Sequence, residues 1–260
     1  MKRDNIFWGG VLILLGILFL LQTKNIIPSV FPYLWPLALL LTGGWMILGV
    51  YWKSSSSSEE SFSISLQDAK SIRYTFSHGA GQIEIKGGAP NGQALVGSPA
   101  AGMNQNSHLN GDRLEVRIEA GASFIPFVGP SEGIWKFQLA QDIPTSIKME
   151  AGASQLDMDL KDVLASHIEL KTGASNSNVT MPAHGVSLLD IEAGAASINI
   201  AVPEGVAGRI RIKEGLTSLD IDANRFPQLD SHLYQSPDFD TAANRTEINV
   251  QAGLGSITIK

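Results

Sequence analysis

One phrase recurs along this chain and constrains its fold more than any other feature: a glycine-centred corner followed by alternating apolar residues. It reads HGAGQIEI at His78, EAGASQLDM at Glu150, KTGASNSNV at Lys171, EAGAASINI at Glu192, KEGLTSLDI at Lys213 and QAGLGSITI at Gln251. Gly152, Gly173, Gly194 and Gly215 stand 21 residues apart, and Gly79 and Gly121 stand 42 apart, twice that period. The longer spacings, Gly121 to Gly152 and Gly215 to Gly253, place insertions at 124–135 (FIPFVGPSEGIW) and 225–245. A fixed period of this length marks units that stack and bury their apolar edges against one another.

Aligned on the glycine, the residues sort into columns. Five positions before it stand Tyr74, Val116, Ile147, Ile168, Leu189, Ile210 and Ile248; three before it stand Phe76, Ile118, Met149, Leu170, Ile191, Ile212 and Val250. Ile83/Ile85, Leu156/Met158, Ser177/Val179, Ile198/Ile200, Leu219/Ile221 and Ile257/Ile259 continue the alternation four and six positions after it. A period of two is that of a strand with one face inward. Each unit therefore reads as strand, tight corner, strand and turn, with the glycine needed for the backbone geometry of the corner. MPAHG at Met181 and VPEG at Val202 mark the turns.

Identical columns at a constant period predict a β-solenoid over residues 66–260; an immunoglobulin-like sandwich would need no fixed period. The outward column Glu150, Lys171, Glu192 and Lys213 alternates in sign and is expected to pair from rung to rung, each exposed pair contributing about 0–1 kcal/mol. The last strand, 255–260, is expected to form an exposed final rung whose edge Lys260 protects.

The first fifth of the chain has a different character. Residues 6–21 and 30–52 carry no charge, and aromatic residues (Phe7, Trp8, Tyr33, Trp35, Tyr51, Trp52) stand near the ends of these runs. Hydropathy predicts two transmembrane helices, at about 6–24 and 30–52, forming an antiparallel hairpin over 1–53. Lys2, Arg3 and Lys53 against Lys24 alone in the turn would put both termini in the cytoplasm, as a two-span protein of the cell membrane with the lipid bilayer as a partner. Ser54 to Ser58, followed by two glutamates, open a serine-rich tether over 54–65. The expected fold class is thus a membrane α-helical hairpin plus an all-β solenoid.

The glycine and Trp-Pro spacing of the hairpin (Trp8-Gly9-Gly10, Gly16, Trp35-Pro36, Gly44, Gly49) resembles the transmembrane module of the bacterial LiaI and LiaF membrane proteins. The repeated Gly-Ala-Ser corners with alternating strands are similar to the toast-rack β-domains of LiaF-like proteins. The resemblance implies a non-enzymatic regulator or sensor in a cell-envelope stress response, acting by protein contact with a partner such as a membrane sensor kinase. The alternative expectation is a structural or adhesive scaffold that self-associates.

Chemistry is sparse. A net charge of −6 without a basic stretch argues against nucleic acid, and the absence of cysteine removes thiol chemistry and disulfides. Glu84, Asp157, Asn178, Asn199, Asp220 and Thr258 form an outward ladder that could hold calcium but reads better as a solvated face. The pairs Asp157/Asp159 and Asp220/Asp222 are spaced as same-strand surface residues. His78, His108, His167, His184 and His232 occupy unrelated repeat positions. No catalytic, cofactor or metal residues are expected, and no enzyme.

Overall fold

The computed structural model describes residues 13, 16, 20–24, 35, 36, 39, 43, 61–98, 103–120 and 134–260. The chain divides into two compact units, Met1–Ser58 and Glu59–Lys260. In the first, the expected membrane hairpin does not stand. Among the described residues no helix is long and apolar enough to cross a membrane. The two-span cell-membrane localisation with cytoplasmic termini, which rested on that hairpin, is corrected with it. The rest of the stretches 6–24 and 30–52, and residues 54–60 of the expected tether, lie outside the described residues.

The second unit is nearly all β. Wherever apolar residues alternate on both sides of a corner, one long strand forms. The strands are β1 (Phe62–Ser65), β2 (Ser71–Gly87), β3 (Gln93–Ser98), β4 (Met103–Asn110), β5 (Arg113–Ala120), β6 (Ile134–Leu139) and β7 (Thr145–Asp159). They continue with β8 (Ala165–Thr180), β9 (Val186–Ala201), β10 (Ala207–Ile221), β11 (Gln228–Asp230), β12 (Leu233–Gln235) and β13 (Arg245–Ile259). β7, β8 and β9 lie parallel and in register, Ile147 beside Ile168 and Ile168 beside Leu189, so the 21-residue period becomes the step from one rung to the next. Burial follows the columns: Ile147, Met149, Leu156 and Met158 in β7, and Leu189, Ile191, Ile198 and Ile200 in β9, are almost wholly enclosed. At about 25 cal/mol per Å² of apolar surface, this repeated burial is the main favourable term.

Two departures from simple stacking shape the molecule. The first is a fork: β2 is flanked along one side by β7, while its other side is shared, with β5 beside the first half (Tyr74 beside Val116) and β6 beside the second (Ile83 beside Trp135). β4 pairs with β5, and β3 then β1 extend from β6, all antiparallel. The 42-residue spacing of Gly79 and Gly121 is therefore a direct contact of β2 with β5 and not two stacked repeats. Tyr74, Phe76, Trp135 and Phe137 fill the fork, the rings of Phe76 and Phe137 lying 5.0 Å apart.

The second is an insertion. The strand order runs β2-β7-β8-β9-β13-β10, so the final strand lies inside the sheet and is not the exposed last rung expected from the sequence. Ile257 sits beside Ile198 of β9 on one side, and Ile248 beside Ile210 of β10 on the other. β10 is the outer rung. β12 covers its start, at Arg209–Arg211, and among the described residues no strand covers its second half. Leu219 and Ile221 are accordingly only partly buried, whereas the matching Ile257 and Ile259 of β13 are fully enclosed.

Candidate functional site

The corner glycines build a column that crosses all the long strands. Pairing passes over them: His78 lies beside Ala151 and Ala80 beside Ala153, while Gly79 and Gly152 make no ladder pair. The left-handed φ values of the described residues fall at Gln67 and at other glycines, such as Gly81, Gly185 and Gly205. What forces glycine at the corner is therefore close approach. A Cβ on Gly152 would lie 2.6 Å from the Gly79 carbonyl oxygen, on Gly173 2.8 Å from that of Gly152, and on Gly194 2.7 Å from that of Gly173. Each carbonyl points at the next glycine Cα, a stack of Cα–H···O contacts that leaves no room for a side chain. The backbone conformation of the corner, expected to be the reason, is not.

Along this column runs an open groove of about 1230 Å³. The glycines floor it, and the column two residues earlier, from Ser77 and Glu150 through Lys171 and Glu192 to Gln251 and Lys213, walls one side. The wall neutralises itself. Lys171 Nζ lies 3.2 Å from both Glu169 and Glu192, and Lys148 Nζ lies 2.7 Å from Glu150. The hydrogen bond from Lys148 holds the Glu150 carboxyl below its usual range and raises the lysine in return; Glu169 and Glu192 raise Lys171. The expected step from Glu192 to Lys213 does not occur, because β13 intervenes and puts Gln251 between them. On the same face Asn249 Nδ2 donates to Asp190 at 2.9 Å, and Arg211 pairs with Glu247.

The carboxylate and amide ladder lies on the other half of each strand, where it is linked by side-chain hydrogen bonds. Asn199 Nδ2 donates to Asn178 Oδ1 at 2.9 Å, and Asn178 Nδ2 to Asp157 Oδ1 at 2.6 Å. Glu84 and Asp220 face Lys136 and Lys260, at 4.0 and 3.7 Å, and Thr258 is set between Asn199 and Asp220 by the inserted strand. Asp159 and Asp222 accept backbone N–H groups of Lys161 and Asn224, so each shapes a turn. Among the described residues no three His, Asp or Glu side chains converge to hold a metal ion.

The histidines stay apart. His78 is buried at one end of the groove, edge-on to Trp135 with ring centroids 4.4 Å apart, and burial lowers its pKa. His167 lies 3.9 Å from Asp190; His108 is on β4, His184 in the turn before β9, and His232 beside Ser231. Sequence reasoning placed Trp135 only within an insertion, and it missed Arg225, whose guanidinium donates to the carbonyls of Val202 (2.7 Å) and Pro203 (3.0 Å). A lone arginine in an insertion carries no periodic signal.

Comparison with known proteins agrees with this geometry. No curated protein sequence matches the chain. Among solved structures, the crystal structure of a candidate cell adhesion protein from Clostridium sporogenes shares the fold. The TM-score is 0.68 at 18% identity, over 77% of this chain and 97% of that one. The family profile for the N-terminal domain of toast_rack, DUF2154, matches residues 53–201; it bears on the β-domain and leaves the resemblance to a LiaI and LiaF membrane module without support. With more than half of its length matched, the chain belongs to the toast_rack N-terminal domain family.

Proposed function

We propose that this protein is a non-enzymatic β scaffold that works by adhesion, binding a protein partner through the outward faces of its stacked strands. The observation that carries the reading is the continuous in-register sheet, whose outward side chains form straight ladders of charge and amide from β7 to β10. Such a face suits broad, multivalent contact. Its side chains are engaged with one another instead of converging on a reacting atom, as in Lys171 with Glu169 and Glu192 or Asn199 with Asn178. The solved structure of similar fold, a candidate cell adhesion protein, favours the same reading.

The test is attachment of the purified full chain to immobilised cell-surface protein. Lys148→Glu together with Lys171→Glu should weaken attachment at least tenfold without loss of fold by circular dichroism. Attachment unchanged by these substitutions and by Asn178→Ala and Asn199→Ala would refute the face as the binding surface. Family membership favours a second reading, a regulator acting by protein contact in an envelope stress response. Deleting the gene should then change an envelope-stress reporter under a wall-active antibiotic; unchanged output with and without the drug would rule that role out.

A further inference from the structure

β13 enters the sheet out of chain order, and the elements that hold its place open all precede it in sequence. β9 and β10 carry the same columns 21 residues apart, so they would match if laid side by side; instead they stand two rungs apart. The turn 202–206 that climbs both rungs is no longer than the turn 181–185 that climbs one. Arg225 holds it through the carbonyls of Val202 and Pro203. β10 is fixed in turn to the segment that follows it. Phe226 is buried where a Cβ on Gly208 would lie, Ser236 exchanges two hydrogen bonds with the Gly208 backbone, and Arg209 reaches Asp240 at 2.8 Å. Together these elements frame a slot one strand wide.

We propose that this slot accepts β13 from a second copy of the chain as well as from its own, so that two copies join by exchanging residues 245–259. The interactions that seat β13 are of register and column: Ile248, Val250, Ile257 and Ile259 are buried between β9 and β10, Asn249 bonds Asp190, and Glu247 pairs Arg211. An identical copy offers identical partners, so exchange alters only the path of the connection. That connection has a suitable hinge. Between Asp240, which is tied to Arg209, and Arg245, where the exchanged strand begins, none of the four residues 241–244 is buried, and four extended residues reach roughly 13 Å. This exchange does not depend on the adhesive reading above, since it concerns the strand slot and not the outward faces.

Ser187 on β9 and Thr246 on β13 supply the test. Both are buried and their hydroxyls lie 3.0 Å apart, on strands spaced about 4.8 Å, within reach of a disulfide. The chain has no cysteine to interfere. One full-length preparation carries Ser187→Cys and another Thr246→Cys; the two are unfolded together, refolded at high concentration and oxidised. Exchange predicts a covalent heterodimer whose fraction falls about tenfold on tenfold dilution before refolding, as mass action requires. The pair Ser197→Cys and Ser256→Cys, whose hydroxyls lie 3.1 Å apart at the surface, repeats the experiment should a buried cysteine impair folding. A double variant that closes within one chain, while the mixed single variants of both pairs give no heterodimer at any concentration, overturns the proposal.

Discussion

Between Thr145 and Ala201 the columns are filled by isoleucine, leucine, methionine and valine, with the buried Ser177 the exception between Leu156 and Ile198, each beside its equivalent 21 residues away; around β2 the same interior holds Tyr74, Phe76, Trp135 and Phe137. In the stack a residue is chosen by its neighbours above and below, and the tightest constraint is the glycine column, where backbone meets backbone. At the fork, strands from either side of an insertion meet, and the column residues Tyr74 and Phe76 pack against Trp135 and Phe137, which belong to no column. Regular stacking is thus governed by spacing between strands, and the irregular end by volume.

Substitutions at the fork should give the largest effects. Phe137→Ala removes a fully buried ring that contacts those of Phe62, Phe76 and Trp135, and should cost about 3–5 kcal/mol in urea unfolding. Ile168→Val within the stack should cost about 0.5–1.5 kcal/mol; a loss well above that range for a single methylene would mean that volume governs the stack as it does the fork. Next comes the glycine column. Gly173→Ala forces a methyl against the Gly152 carbonyl and should cost about 1–3 kcal/mol. A Cβ on Gly79, at the fork end of the same column, meets nothing within 4 Å, so Gly79→Ala should stay within about 0.5 kcal/mol. If both lose stability alike, close approach is not the reason for the column.

A smaller effect should appear in the pH dependence. Burial lowers the His78 pKa from the ordinary 6.5, so the folded state holds the ring neutral while the unfolded chain still binds a proton. The contribution is complete above the unfolded value and declines as pH falls below about 6.5, until the folded ring itself titrates. His78→Gln should flatten stability between pH 7 and pH 5; an unchanged slope would assign that dependence to other groups. The smallest change should come from Asn178→Ala, which breaks two links of the exposed ladder and should cost less than about 1 kcal/mol by thermal unfolding. A larger loss would mean that the ladder, and not the buried columns, sets the register.

The columns were legible in the sequence because strand alternation and a 21-residue period are both local regularities: Ile147, Ile168 and Leu189 announce their burial by position alone. The position of β13 was not legible, for the same reason. Ile248 fits beside Leu189 or Ile210 equally well, and identical columns carry no information about the order of rungs. The charged wall followed suit, since Glu192 and Lys213 belong to the right column but to rungs that are not neighbours. The fork was hidden because Tyr74 and Phe76 stand in the columns like any other rung, while Trp135 and Phe137, which pack against them, end or follow an insertion without period. Hydropathy alone made residues 6–24 and 30–52 look like spans, and among the described residues no helix is long and apolar enough to cross a membrane.

The constant register from β7 to β9 also makes the length of the stack countable. Duplicating or deleting one unit of 21 residues there would add or remove one rung, about 4.8 Å, without shifting any column, so tandem duplication of the coding sequence works as a ruler. The same event between β9 and β10 would not be neutral, because an added rung would compete for the place of β13. Lineages of this fold should therefore vary in length before β9 and hold constant after it.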